Sequence, residues 1–168
     1  LQPFYDFFKL LLVKETILPK KGAKLLFLAV PVFAVFGATM AGVFILLPLL
    51  GVDTGFRGDI IVIFYLLTIP SLTYVLGGIA SGNPLAAIGS SREMKLILSY
   101  ELIFLLVIAG VLIKSEMELN LYNIIRIQQE STPFIGSLSG ILLFLVAIFC
   151  VQAKLALVPF DMPEAETE

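Results

Sequence analysis

The sequence lacks histidine altogether and holds a single cysteine, Cys150, which lies inside an apolar run. A disulfide needs two cysteines, and structural zinc sites are built mainly from cysteine and histidine. A disulfide framework and any Cys/His metal site within the chain are therefore excluded. We expect the chain on its own to carry no metal, flavin or haem cofactor.

Charged residues are also scarce in this sequence. They make up 14% of the 168 residues, against about 25% in soluble proteins. The net charge of −2 provides no basic field of the kind that binds nucleic acid. Most of the remainder is apolar, since 59% of the residues are hydrophobic. This composition predicts a membrane protein.

Four apolar stretches are long enough to cross a bilayer, which takes about 20 residues of helix. The predicted transmembrane helices cover residues 24–50, 60–81, 96–113 and 134–158. Pro31 and Pro70 lie inside these stretches, and membrane helices tolerate proline. The sequence has no initiator methionine and ends where a helix begins. We therefore expect an all-α integral membrane protein that is an internal portion of a longer polytopic subunit.

Two of the segments between the predicted spans are amphipathic and are expected to lie in the membrane interface. The first, residues 1–23, is predicted to contain a helix that ends at Pro19, with apolar residues at helical spacing: Phe4, Phe7, Phe8, Leu11 and Leu12. The second, residues 114–133, has an imperfect apolar face: Leu119, Tyr122, Ile125 and Ile127. A polar loop is predicted over residues 82–95, and an acidic loop over residues 159–168.

The basic residues predict the orientation, because they concentrate on the cytoplasmic side of a membrane. One set of alternate segments holds eight of them: Lys9, Lys14, Lys20, Lys21, Lys24, Arg92, Lys95 and Lys154. The other set holds three: Arg57, Lys114 and Arg126. Residues 1–23, 82–95 and 159–168 are therefore predicted to share the cytoplasmic face, where a soluble partner could dock. Residues 114–133 are predicted to be external.

Two charged residues fall within the predicted spans. Glu101 would be costly as an ionised group in lipid unless it is paired or faces water. It is either a neutral, hydrogen-bonded carboxyl with Ser99 or Tyr100 nearby, or part of a proton or ion relay. Lys154 lies near the end of its span and either extends to the interface or belongs to such a relay.

The chain closes on the acidic sequence VPFDMPEAETE. Asp161 and Glu164 have the spacing of a helix capping box, and Pro163 suits an early helical position. Capping does not explain why Asp161, Glu164 and Glu168 repeat on one helix face while Glu166 adds a further carboxylate. Clustered carboxylates raise one another's proton affinity. Proton handling or partner docking is therefore favoured over a solvated tail.

Three motifs resemble the membrane subunit of complex I that walls the quinone chamber, known as the H subunit or, in mitochondria, subunit 1. PFDMPEAE at residues 159–166 resembles its acidic loop, and LQPFYDFFKLLLVKE at residues 1–15 resembles its first cytoplasmic loop and amphipathic helix. SYE at residues 99–101 matches a further motif of this family. The resemblance extends over nearly the whole chain.

One motif is similar to a different branch of the same family. GSSREM at residues 89–94 resembles the homologous subunit of energy-converting membrane-bound [NiFe] hydrogenases. In addition, Lys154 and Leu157 stand where the complex I form usually has Glu and Arg. This mixture most resembles the archaeal-type membrane-bound hydrogenase or its sulfur-reducing sister complex.

The resemblance implies a subunit of an oxidoreductase complex that has no redox centre of its own. It would anchor a peripheral arm, made of an iron–sulfur small subunit and a [NiFe]-like large subunit, to the cell membrane. Electron transfer from ferredoxin, as in hydrogen evolution, would drive H⁺ or Na⁺ movement through neighbouring antiporter-like subunits. The iron–sulfur clusters and the [NiFe] centre would belong to the partner subunits. The alternatives are the quinone-chamber subunit of NADH:quinone oxidoreductase, the sulfur-reducing complex and, from another class, a stand-alone ion transporter.

The resemblance also implies roles for individual residues. The predicted proton or ion path comprises Glu101, Lys154, Asp161, Glu164, Glu166 and Glu168. The predicted interface with the redox arm comprises Asp6, Lys9, Glu15, Arg92 and Glu93.

Overall fold

The computed structural model describes residues 2–12, 18–20, 22–53, 56, 58–157, 159 and 160, and the regular elements among them are all helical. The helices are α1 (Gln2–Leu12), α2 (Lys24–Leu49), α3 (Asp59–Ala80), α4 (Pro84–Lys114), α5 (Leu121–Glu130) and α6 (Leu138–Lys154). A short 3₁₀ helix, Phe134–Gly136, precedes α6. Glu15 and the acidic residues Asp161, Glu164, Glu166 and Glu168 lie outside the described residues.

Three helices are long and apolar enough to cross a membrane. They are α2, α3 and α4, with 26, 22 and 31 residues. Helix α6 is apolar but has 17 residues, fewer than the about 20 that a span perpendicular to the bilayer needs. The predicted all-α membrane fold is therefore confirmed, whereas the count of four spans is not.

The long helices continue through their prolines, as expected from the sequence. Helix α2 includes Pro31 and α3 includes Pro70. Pro70 has no N–H to donate to the carbonyl of Leu66, four residues earlier. Gly37 of α2 packs closely against that turn, since a Cβ at this position would lie 3.1 Å from the Leu66 oxygen. The small residue therefore lets a second helix cover the weakened turn of α3.

Helices α2 and α3 form an antiparallel hairpin, and α4 and α6 extend it. The Ala23 N–H, just before α2, donates to the Ala80 carbonyl at the end of α3, at 3.0 Å. Gly78 of α3 lies so close to Ser90 of α4 that a Cβ would clash with the Ser90 hydroxyl. The ends of α3 and α6 and the starts of α2 and α4 thus lie at one end of the bundle, which we call the Lys154 end.

The predicted polar loop over residues 82–95 is wrong in its secondary structure. Helix α4 begins at Pro84 and runs without a break into the predicted third span. Asn83 caps it, because its side-chain oxygen accepts a hydrogen bond from the Leu85 N–H at 3.1 Å. Pro84 suits the first helical position. Polar side chains that suggest a loop are compatible with helix here, since Ser90 donates to the Ala86 carbonyl within its own helix.

The boundaries of the fourth predicted span also differ from those of α6. The predicted span starts at residue 134, but the 3₁₀ turn occupies residues 134–136 and α6 begins only at Leu138. The Ser137 hydroxyl accepts a hydrogen bond from the Gly140 N–H and so caps α6. After Lys154 the chain leaves the helix, and Ala156 has a positive φ of 49°.

The two predicted amphipathic segments both contain helices. The described aromatic side chains of α1 are exposed, with Phe4 at 70%. Helix α5 starts after Asn120, whose side-chain oxygen caps it and whose Nδ2 donates to Asp53 at 3.3 Å. Its fully buried residue is Ile124, which the predicted apolar face did not include.

Candidate functional site

A cluster of charged and hydroxyl side chains lies between α3, α4 and α6, towards the Lys154 end. Helix α3 contributes Ser71, α4 contributes Glu93, Tyr100 and Glu101, and α6 contributes Lys154. Glu93 and Tyr100 are seven residues apart, so helical periodicity places them on one face of α4. That face packs against α3 and α6 through a small apolar core that contains Val75, Ile97, Tyr100 and Ala153. The bundle core therefore brings the helices that carry these polar residues together.

The Lys154 ammonium group lies among aromatic rings. Its Nζ is 5.4 Å from the centre of the Phe104 ring and 5.7 Å from the centres of the Phe64 and Tyr100 rings. A cation held over a ring in a desolvated site gains about 2 kcal/mol. The Nζ atom is buried and has no hydrogen-bond partner. The side chain thus turns into the bundle, and its ammonium does not reach an exposed surface.

Glu101 is the nearest candidate for the counter-charge of Lys154. The two groups are within electrostatic range of each other, although they form no direct ion pair, and Glu101 Oε1 is buried without a hydrogen-bond partner. The neighbours expected to bond it are engaged elsewhere. The Ser99 hydroxyl donates to the Lys95 carbonyl at 2.9 Å, and the Tyr100 hydroxyl donates to Ser71 Oγ at 3.0 Å. The structure therefore does not show the predicted hydrogen bond from Ser99 or Tyr100 to the Glu101 carboxyl group.

Glu93 also belongs to the cluster, although the sequence predicts it in a polar loop over residues 82–95 and at the interface with the redox arm. Its side chain is 7% exposed, and its Oε2 is buried without a hydrogen-bond partner. It lines a cavity of about 310 Å³ together with side chains of α3 and the end of α6. The other lining residues are Pro70, Ser71, Tyr74, Lys154, Leu155 and Ala156. The pattern that could have found it is the seven-residue spacing to Tyr100.

The other predicted site residues do not join this cluster. Asp6 and Lys9 are exposed on α1, and Arg92 is half-buried on α4. Their contact with a redox arm stays a prediction, as does that of Glu93. The carboxylates from Asp161 onward are not described, but Phe160, just before them, packs against the core that contains Tyr100 and Ala153. Phe160, the last described residue, therefore lies next to the cluster.

The part of the chain that the structure describes contains no group of three potential His, Cys, Asp or Glu metal ligands. The cluster offers two carboxylates, one ammonium and two hydroxyls. Such groups can accept, donate and hold protons. Whether the chain lacks a cofactor of its own stays a prediction.

Comparison with known proteins matches residues 1–168 to the NADH dehydrogenase family. The chain is 35% identical, over 189 aligned residues, to the H subunit of NADH-quinone oxidoreductase from Thermomicrobium roseum, covering 100% of this chain and 53% of that protein. It is 36% identical to the H subunit of NADH-quinone oxidoreductase from a Geobacillus species, covering 100% of this chain and 49% of that protein. The corresponding H subunit from Symbiobacterium thermophilum is 30% identical, with 100% and 51% covered.

These comparisons bear on location and on length. The similarity to these H subunits, together with three helices able to span a membrane, confirms the predicted multi-pass location in the cell membrane. The chain spans about half the length of the curated relatives that it matches.

Proposed function

Because this chain belongs to the NADH dehydrogenase family, which matches it from end to end, we propose that it forms part of a membrane-embedded H subunit. The complex would be of the NADH–quinone oxidoreductase type. The proposed role is to couple electron transfer to quinone with proton movement, without a redox centre in this chain. The observation that carries the coupling role is the burial of Glu93, Glu101 and Lys154 between three helices.

Energetics support a functional role for this cluster. Charged groups within a membrane are expensive to bury, and those that occur there usually mark ion or proton pathways. A purely structural bundle would be more stable with apolar residues at these positions, because removing an unpaired charge from water carries a large desolvation penalty. The two carboxylates and the ammonium also lack the hydrogen bonds that would lock them in place. Groups of this kind can change protonation state during turnover.

The relatives support the quinone-dependent alternative over the hydrogenase interpretation. Their names are those of NADH-quinone oxidoreductase subunits, and nothing in the comparisons points to the archaeal hydrogenase type. The hydrogenase interpretation rests on the GSSREM motif and on Lys154 and Leu157. We therefore propose quinone as the electron acceptor and treat hydrogen evolution as the competing outcome of the experiment.

The proposed partners follow from the family. An H subunit of this kind implies a multi-subunit complex with other membrane subunits and a peripheral arm. We propose that the arm docks at the Lys154 end, where the starts of α2 and α4 meet the end of α6. Iron–sulfur clusters would belong to the arm. The lipid bilayer would cover the exposed apolar faces of α2, α4 and α6 that other membrane subunits leave free.

Inverted membrane vesicles of the source organism provide the test. Oxidation of NADH should depend on an added short-chain quinone and should acidify the vesicle lumen, and deletion of this gene should abolish both. Glu101→Gln, within the full-length subunit, should reduce acidification per electron more than it reduces electron transfer. Hydrogen evolution from reduced ferredoxin, without any need for quinone, would instead establish the hydrogenase type.

A further inference from the structure

The buried Lys154 ammonium is stabilised by aromatic rings and by the charge of Glu101, but it lacks hydrogen bonds. Its Nζ has three aromatic rings within 6 Å and Glu101 within electrostatic range, but no hydrogen-bond partner. A buried ammonium normally makes up to three hydrogen bonds, and each one missing costs free energy. Such a side chain is held less firmly than one in a complete ion pair. Its four-carbon stem also allows the charge to move between rotamers.

The Lys154 ammonium has a second position available to it, in the cavity that the side chain lines. Lys154 lines the cavity of about 310 Å³, and Glu93 lines it as well. The Glu93 carboxyl group is buried, has one unpartnered oxygen, and lies two helical turns before Glu101 on α4. Eight residues of helix correspond to about 12 Å. Lys154, at the end of α6, thus lines the same cavity as Glu93 and lies within electrostatic range of Glu101.

From this arrangement we propose that Lys154 is a two-position cation. In the first position, which the structure shows, the Lys154 ammonium lies within electrostatic range of Glu101. In the second position the side chain rotates into the cavity and forms an ion pair with Glu93. The proposal rests on the proposed function for its role in proton transfer, and it names the group that controls that transfer. It also assigns Glu93 to the membrane cluster.

Movement of the Lys154 ammonium from Glu101 to Glu93 would be accompanied by a net shift of one proton in the opposite direction, from Glu93 to Glu101. A buried carboxyl group without a cation is more stable in its neutral form, whereas one beside an ammonium is more stable ionised. With Lys154 at Glu101, Glu93 holds the proton. When Lys154 moves to Glu93, the proton leaves Glu93 and Glu101 takes one up. The three side chains keep a total charge of zero in both positions, so neither position buries a net charge.

Other titratable groups face this unit from each packed helix. Helix α3 presents Tyr74 at the cavity, and α6 presents Cys150 within electrostatic range of Lys154. Helix α4 presents Tyr100, which is electrostatically close to both Glu93 and Glu101. The Tyr100 hydroxyl donates to Ser71, another residue of the cavity wall. None of these groups is a cation, and Lys154 is the cation among the residues that line the cavity with Glu93.

Infrared spectroscopy of the purified, intact complex tests the proposal. A neutral carboxyl group gives a C=O stretching band that shifts in D₂O, and the matched Gln variant assigns it. Glu93→Gln should remove one such band from the spectrum at neutral pH. Glu101→Gln should remove the same band, because Lys154 then moves to Glu93 and ionises it. Glu130→Gln, a change at an exposed carboxylate paired with Arg126, should leave the band unchanged.

The decisive result is the effect of Glu101→Gln on the Glu93 band. Persistence of that band would show that Lys154 does not reach Glu93, and absence of any Glu93 band in the wild type would remove the premise. Lys154→Met provides an independent check, since loss of the cation should add a second band from Glu101. An unchanged band area in Lys154→Met would also overturn the proposal. The spectra need no quinone turnover, so a failure of the quinone assay would not affect this test.

Discussion

Tyr100 shows how one side chain connects the apolar core to the charged cluster. It is 4% exposed, its ring lies beneath the Lys154 ammonium, and its hydroxyl donates a hydrogen bond to Ser71 Oγ. The ring and the hydroxyl therefore have separate functions. The ring supports the cation, and the hydroxyl ties α4 to α3 beside the cavity.

Tyr100→Phe separates these two functions. It keeps the ring and removes the hydrogen bond to Ser71, which should cost about 1 kcal/mol of stability. Ser71→Ala should cost a similar amount, and the double variant should cost little more than either, because all three lose the same bond. The measurement is the thermal unfolding midpoint of the purified complex. Additive losses in the double variant would show that the two hydroxyls do not depend on each other.

The positive charge of Lys154 is predicted to be necessary for coupled proton uptake. Lys154→Met removes the cation from Glu101 and should lower coupled proton uptake severalfold while quinone reduction continues. Adding Glu101→Gln to Lys154→Met removes the carboxyl group that lost its cation and should restore stability in part, but not proton uptake. Proton uptake and quinone reduction, measured in the same vesicles, check the loss of coupling, and the thermal unfolding midpoint checks the partial recovery of stability. Full coupling in Lys154→Met would exclude Lys154 from the path.

At the scale of elements, the close packing of α2 on α3 depends on Gly37. A Cβ at this position would lie 2.8 Å from the Cβ of Ile69, closer than real Cβ contacts occur. Gly37→Ala should therefore push the two helices apart and cost about 1–3 kcal/mol. Gly42→Ala on the same helix is the matched control, because nothing lies within 4 Å of its added Cβ. Equal thermal stability of the two variants would contradict the close contact.

Asn120 fixes α5 to the opposite end of the bundle from Lys154. Its side-chain oxygen caps α5, while its Nδ2 donates to Asp53 and to the Phe56 carbonyl. Asn120→Asp keeps the cap, since Asp is also a good N-cap residue, but it loses both donated bonds. We expect faster amide exchange in residues 121–130 with the helix still formed. Unchanged exchange would show that the two donated bonds do not hold α5.

The helices could be predicted from the sequence more securely than their ends. Apolar runs identified α2, α3 and most of α4, because a membrane helix needs a long apolar stretch. The start of α4 was missed because SSREMK is polar, and only the Asn83 cap and Pro84 indicate that a helix begins there. The length of α6 was overestimated because Phe134–Gly136 is as apolar as the helix that follows.

At the scale of the whole molecule, the charged cluster could be predicted only in part. Glu101 and Lys154 were found because they interrupt apolar runs. The sequence predicts Glu93 at the redox-arm interface, because its neighbours in sequence are polar, whereas its burial depends on α6 returning to the start of α4. That packing is a long-range feature, which no local pattern of residues contains. The family resemblance was confirmed, but its hydrogenase branch was not supported.

The acidic residues after Phe160 belong to the proton path that the sequence predicts, and this role stays a prediction. Phe160 packs on the core that contains Tyr100, and Asp161 and Glu164 come next in the sequence. If they transfer protons, their charge and not their capping ability is what matters. Asp161→Asn keeps an N-cap residue, and Glu164→Gln keeps the size of the side chain. Both variants should assemble with the soluble arm but lose most of the proton uptake per electron.

Two measurements on the same preparations distinguish the roles of this segment. Copurification of the soluble subunits reports assembly, and lumen acidification per NADH oxidised reports coupling. Loss of copurification in both variants would mean that the carboxylates dock the arm. Full assembly with full coupling would reduce the segment to a helix cap, and would end the proton path at the Glu93, Glu101 and Lys154 cluster. Normal assembly with lost coupling is the expected result, because a neutral amide keeps the geometry but cannot exchange the proton.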